Sequence, residues 1–330
     1  MATYILRRLI YAIAMLLLAS LVSFVIIQAP PGDYLTSYIV QLESTGAHVT
    51  EEQVASLKKR YGLDLPIYLQ YFKWLWNLLQ GDFGRSFQWN RPVSELLAER
   101  LPITIMIGIF TCIFTYTLAI PIGIYSATHQ YSVGDYIFTA AGFIGLATPN
   151  FLLALILMFL FYKYFGLSIG GLFSPEYELA PWSMGKFVDM LKHLPVPIIV
   201  IGTAGTAGLI RVMRGCLLDE LRKQYVITAR AKGVAERTLL FKYPVRVAIN
   251  PIISTIGWIF PQIISGGAIT AIVLSLPTIG PLLFQALLTQ DMYLAGSSVM
   301  FLTFLTIVGT LISDILLVWL DPRIRFEKRA

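Results

Sequence analysis

The run Leu9–Ala29 holds 21 residues without one charge, bounded by Arg7-Arg8 before it and Pro30-Pro31-Gly32 after it. A helix of about 20 mostly apolar residues is long enough to cross a bilayer. Five further runs fit that requirement: Pro102–Thr128, Tyr136–Tyr162, Leu194–Ile210, Ile249–Leu276 and Ala295–Leu320. The fourth is short and borrows from Val212 and Met213. Hydrophobic residues make up 56% of the chain and charged residues 13%, against about 25% charged in soluble domains. The expectation is an all-α membrane protein with six transmembrane helices. The absence of a small-x-small cleavage site after Leu9–Ala29 favours a retained anchor over a signal peptide.

Charge is local. Residues 211–248 carry nine Lys/Arg and three acids, a surplus of six that equals the formal net charge of the whole chain. One basic loop, with the rest balanced, does not make a general polyanion binder, so nucleic acid is excluded as a partner. With six spans both termini share a side. A cytoplasmic N-terminus places 15 of the 25 basic residues inside, as the positive-inside rule requires. Seven of the other ten fall in the long outer segment, where charge has little say in translocation. The chain then divides into an anchor (1–29), an extracytoplasmic helical segment (30–100), a main membrane domain (101–320) containing the cytoplasmic loop 211–248, and a cytoplasmic tail (321–330).

The outer segment reads as folded. Thr50 and Gln53 form a capping-box pair, Val54, Leu57 and Tyr61 share a helical face, and Gly62 stops that helix. A second helix starts at Asp64 and Pro66. Its apolar stripe is Leu65, Leu69, Phe72, Trp76 and Leu79, with Gln70, Lys73, Asn77 and Gln80 opposite. Such a helix suits the membrane surface, packing within its own protein, or a docking face.

Motifs for chemistry are absent. There is no G-x-x-x-x-G-K-[ST] loop, no G-x-S-x-G, no H-E-x-x-H and no C-x-x-C. His48, His129 and His193 lack metal-ligand spacing, and Cys112 and Cys216 read as separate small side chains. No catalytic residue and no metal site are expected. Gly202, Gly205 and Gly208 read as a close helix-packing series. Asp314 is the one acid inside a span and is expected to pair with Arg211 or Arg323 near the cytoplasmic face. Thr148-Pro149-Asn150 interrupts the third span, and Pro251, Pro261 and Gly266-Gly267 interrupt the fifth. Broken helices are tolerated where protein or a polar cavity satisfies the freed backbone. Asn150 and Gln262 are therefore candidates for a polar translocation path, beside the plainer reading of kinked, packed helices.

The basic loop has its own architecture. Arg222–Lys232 has helical propensity, Gly233 supplies a turn, and a second short helix runs from Ala235 to Lys242 until Pro244. Val234, Thr238 and Phe241 share one face, while Ala229 and Ala231 leave the approach to Gly233 uncluttered. A small helix pair of this kind fits a groove on another protein; the simpler reading is a juxtamembrane loop touching anionic lipid.

The stretch Thr228-Ala229-Arg230-Ala231-Lys232-Gly233, continuing through Val234, Glu236 and Arg237, resembles the cytoplasmic coupling loop of ABC-importer permeases of the dipeptide/oligopeptide type. That loop's general pattern is Glu-Ala-Ala, three residues, Gly, and later Ile-x-Leu-Pro. Here Ile227-Thr228 stands for Glu-Ala and the later Leu-Pro is missing, as in the oligopeptide subfamily. The resemblance extends to Tyr4–Leu9, Gly81-Asp82-Phe83-Gly84-Arg85-Ser86, Leu276-Pro277-Thr278-Ile279-Gly280 and Asp321-Pro322-Arg323-Ile324-Arg325. It implies a type I importer permease fold and partners on both sides of the membrane. These are a second related permease, two ATPase subunits under the coupling loop, and an extracytoplasmic substrate-binding protein. ATP and Mg would bind the ATPase subunits and not this chain, which would be a non-enzymatic, multi-pass inner-membrane subunit. An ion-coupled carrier would need paired intramembrane charges or an inverted repeat, and neither is visible; a membrane-anchored scaffold is the third reading.

Overall fold

The computed structural model describes residues 2–28, 56, 65–166, 169–178, 180–181 and 183–320. The capping pair Thr50–Gln53, the face Val54/Leu57/Tyr61, the stop at Gly62, Asp64 and the tail 321–330 lie outside the described residues. The described chain is helical. It runs through α1 (Ala2–Gln28), α2 (Ile67–Leu79), α3 (Val93–Thr128), α4 (Val133–Ala147) and α5 (Asn150–Phe165). Short α6 (Pro175–Glu178) and α7 (Met184–His193) lead into α8 (Pro195–Leu221). Then come α9 (Gln224–Ala231), α10 (Glu236–Lys242), α11 (Pro244–Ala248), α12 (Asn250–Ser254), a 3-10 turn (Thr255–Trp258) and α13 (Ile259–Val273). The last two are α14 (Ile279–Leu288) and α15 (Met292–Leu320).

Among the described residues three helical stretches are long and apolar enough to cross a membrane: Val93–Thr128, Met184–Leu221 and Met292–Leu320. The pair α4–α5 would make a fourth, but it bends by 103° at the Thr148-Pro149 step. The break falls where the proline predicts it. Pro149 has no N–H to continue α4, and its own carbonyl instead opens α5 by accepting from Leu152 and Leu153 N–H at 3.0 and 3.1 Å. The fifth apolar run is fragmented more heavily, into α12, the 3-10 turn and α13, with Pro251 at a helix start; contrary to expectation, α13 continues through Pro261 and Gly266-Gly267.

Contacts divide the described residues into two compact units, those within 1–103 and 278–305 and those within 104–277 and 306–330. In the first, α2 lies against the C-terminal half of α1. Ser20 and Tyr71 hydroxyls are 2.9 Å apart, and Phe24 meets the rings of Tyr71 and Trp74. Trp74 is 2% exposed. Gln70 is buried too, its amide donating to the Leu65 carbonyl at 2.8 Å. The 3.6-residue stripe of α2 is present as expected, but Leu69, Phe72, Trp76 and Leu79 all face outward. Trp74 fills the space beside α1, and Gln70 enters the interior only because its amide is satisfied there.

The loop after α2 is held by Asp291. One carboxylate oxygen of Asp291 accepts from Ser86 Oγ at 2.5 Å, Phe87 N–H at 2.8 Å and Gln88 N–H at 3.3 Å. The other accepts from Leu294 N–H at 3.2 Å, so Asp291 also caps the N-terminus of α15. Burial pushes this carboxyl above the usual carboxylate range, against the pull of the Ser86 hydroxyl and the three N–H donors.

The second unit is built on α8. Met213 and Leu217 of α8 form a buried cluster with Ala127, Val245, Ala248 and Ile252. α4 packs along α8 and is tied to it by Asp135 and Arg214, whose two hydrogen bonds measure 3.0 and 2.9 Å. Ser313 Oγ donates to the Ile253 carbonyl at 2.7 Å, and the Arg246 guanidinium donates twice to the Leu320 carbonyl at the end of α15. A cation at a helix C-terminus is favourably placed. Asp314 is half-buried in α15, and Arg323 lies outside the described residues.

Candidate coupling hairpin and cavity

α9 and α10 form a short helical hairpin bent at Gly233. Gly233 has φ +78°, in the left-handed region, and a Cβ built there meets nothing within 4 Å. The position is demanded by backbone conformation and not by crowding. Gly233 N–H donates to the Arg230 carbonyl at 3.0 Å and Val234 N–H to the Ala229 carbonyl at 3.3 Å, which closes the end of α9.

The hairpin has its own small core. Val226, Ala229 and Leu239 are buried together, with Val234 and Tyr243 packed on them. Ala229 is thus an interior residue between the two helices and not clearance on an outer surface. Ala231, Thr228, Lys232, Glu236, Arg237, Thr238 and Phe241 are exposed. A bidentate pair spans the bend, with Arg230 Nε donating to Glu236 Oε1 at 2.6 Å and Nη2 to Oε2 at 3.2 Å. The Arg230 guanidinium holds the Glu236 carboxyl below its usual range. At the foot of α9 the Tyr225 hydroxyl donates to Glu220. Lys232, Arg237 and Lys242 add exposed positive charge along the outer side. A bend with a basic, accessible rim can dock against another protein. Among the described residues no group of three His, Cys, Asp or Glu could hold a metal ion.

Asn150 and Gln262, nominated separately from breaks in two spans, line one cavity of about 390 Å³. Thr111, Thr115, Tyr116 and Thr255 line it as well. Tyr116 is fixed by a 2.7 Å hydrogen bond to the Thr255 hydroxyl and a 3.2 Å one to the Ile252 carbonyl. Thr111 Oγ1 has no protein partner among the described residues. None of the described lining residues is charged. The glycine series of α8 divides here. A Cβ on Gly202 would come within 2.7 Å of Phe114, so this glycine permits close packing as expected, whereas Gly205 and Gly208 open onto the cavity. Thr111, Thr115 and Tyr116 were missed at the level of sequence. Thr111 and Thr115 carry a signal, hydroxyls at i and i+4 that share one helical face; Tyr116, about 100° further round the helix, carries none.

Comparison with known proteins decides the family. A family model described as binding-protein-dependent transport system inner membrane component matches residues 119–326, and the corresponding N-terminal model matches residues 1–108. The chain belongs to this family. It is a permease subunit of an ABC importer. The permease is 37% identical to the oligopeptide transport system permease protein AppB of Bacillus subtilis, over 99% of this chain and all of that one. It is 31% identical to the inner membrane ABC transporter permease protein YejB of Escherichia coli O157:H7 and 28% identical to the peptidoglycan transport system permease protein YejB of Agrobacterium fabrum, over the full length of each chain.

Proposed function

We propose that the permease forms, with a second related permease, the membrane pathway of an ATP-driven importer of peptides, and that residues 228–237 couple that pathway to two ATPase subunits. The observation that carries the reading is the hairpin itself. Its interior is sealed by Val226, Ala229 and Leu239, its bend is fixed at Gly233, and its rim is left accessible. Such an element can seat in a groove and move as a body with α8, to which it is joined by the short turn at Arg222-Lys223. ATP and Mg belong to the partner subunits, and this chain supplies no catalytic group.

The proposed topology has six spans, with both termini and the coupling loop in the cytoplasm and segment 30–100 outside, where a substrate-binding protein delivers the solute. The basic surplus of residues 211–248 supports this orientation. The cavity at Asn150 and Gln262 is the proposed part of the pathway. Neutral amides and hydroxyls suit the peptide group, which donates and accepts without net charge, and oligopeptide and peptidoglycan transport in the names of relatives supports that class.

The test is uptake into vesicles holding the purified permease pair and ATPase subunits, with peptide-loaded binding protein outside. ATP enclosed with the ATPase subunits should drive accumulation, and a proton ionophore should leave it unchanged. Uptake that followed a proton gradient and ignored ATP would overturn the reading in favour of an ion-coupled carrier.

A further inference from the structure

The outward stripe of α2 is unusual for a helix so firmly held. Tyr68, Phe72 and Trp76 follow one another at i, i+4 and i+8, and are 64%, 62% and 63% exposed. Leu69 and Leu79 flank them at 42% and 72%. At 100° per residue these five side chains fall within an arc of about 100°. The helix cannot roll to hide them, because Trp74 and Gln70 are locked on the opposite face.

We propose that this stripe lies in the lipid–water interface, with the bilayer as its occupant. Three observations single out lipid. First, the helix that α2 packs on is itself apolar and uncovered: Leu17, Leu21, Val22, Val25 and Ile26 of α1 are about half exposed, and residues 9–29 carry no charge. Second, α2 meets α1 through Gln70–Gln28 at the end of that charge-free run, where a spanning helix reaches the headgroup level, and through Phe24 and Ser20 within about 12 Å of it. Third, α2 has 13 residues, about 20 Å at 1.5 Å per residue, too short to span a core of about 30 Å. Its tyrosine and tryptophan are the residue types enriched at membrane interfaces. Lys73 is exposed on the margin of the stripe, and Gln80, Gly81 and Asp82 continue the chain into exposed polar structure. That is the composition of an interfacial amphipathic helix, apolar on one side and polar at its edge and end. The inference rests on the proposed reading of α1 as a span, which the Val22 label checks by itself, and concerns depth and not side.

Spin labels test it in the transporter purified with its native partner subunits and returned to lipid vesicles. In a Cys112→Ser, Cys216→Ser background, single cysteines replace Phe72, Trp76 and, as milder substitutions nearer the helix ends, Tyr68 and Leu79. Collision rates are read with oxygen, which concentrates in lipid, and with a nickel chelate, which stays in water. Labels at Val22 and at the exposed Glu176 serve as lipid and water references. The expected result is oxygen collision exceeding nickel collision several-fold at all stripe positions, with the ratio reversed at Lys73. Nickel collision dominating the stripe would show an aqueous surface, and low collision with both would show a second protein covering it. Either outcome overturns the proposal.

Discussion

Arg214 grips Asp135 through two parallel hydrogen bonds, Nε to Oδ1 at 3.0 Å and Nη2 to Oδ2 at 2.9 Å. Tyr131 N–H donates to the same carboxylate at 3.0 Å, and the Asp135 side chain is 4% exposed. The pair fastens the first turn of α4 to the part of α8 that leads into the α9–α10 hairpin.

Removing one partner of such a pair leaves the other charge buried and uncompensated, which costs about 3–5 kcal/mol. Arg214→Met is therefore expected to lower the thermal midpoint of the purified permease sharply. The double variant Asp135→Asn, Arg214→Met should recover a large part of the loss. Thermal unfolding in detergent, read for both, checks this.

Asp291 gathers four donors from two segments about 200 residues apart in sequence. In Asp291→Ala the Ser86, Phe87 and Gln88 donors lose their common acceptor, at about 1–3 kcal/mol for each group left unsatisfied. The loop 82–92 should become sensitive to protease while the apolar helices stay protected. Limited proteolysis with mapping of the first cut tests the expectation.

The Arg230–Glu236 pair is not a pH switch near neutrality. The folded-state carboxyl of Glu236 lies below its ordinary value of 4.5, so its contribution is fully present above that value and is lost as pH falls through the depressed one. Between about pH 6 and 8 the ATP-driven uptake profiles of wild type and Glu236→Gln should have the same shape. A profile that changes shape in that window would assign the pair a titrating role.

The cavity makes a separate prediction. Losing one hydrogen-bonding group costs about 1 kcal/mol, roughly fivefold in rate. Asn150→Leu and Gln262→Leu should each reduce uptake by about that factor, with ATPase subunits co-purifying in normal amount. Uptake at wild-type rates in the double variant would place the pathway elsewhere.

What the sequence disclosed follows from how local each signal is. Gly233 and Pro149 act on their own backbone, so the bend of the hairpin and the break between α4 and α5 were readable from single residues. Periodicity correctly grouped Leu69, Phe72, Trp76 and Leu79, but a period says which side chains share a face and not which face is covered. Trp74 and Gln70 won the interior through contacts with α1, some 50 residues away in sequence. Ala229 looked like clearance because smallness was visible, whereas its partner Leu239 lies across the turn. Asp291 had a legible half, an acid just before a long apolar run that signals a helix cap. Its grip on residues 86–88 is a tertiary contact that no local pattern carries.

The hairpin is the centre of the account, and the structure sharpens how to probe it. Ala229→Glu would put a carboxylate between Val226 and Leu239 and damage the hairpin itself, and Gly233→Ala would force a left-handed backbone costing about 1–2 kcal/mol. Ala231 and Lys232 are exposed, so they can be replaced without touching that core. The most direct measurement places a photo-crosslinking side chain at Ala231, Lys232 or Thr238 in the transport-competent complex and identifies the product by mass spectrometry. The account predicts a crosslink to an ATPase subunit whose yield changes when nucleotide is added. A complex that transports normally yet yields no ATPase crosslink from any of the three positions would contradict it.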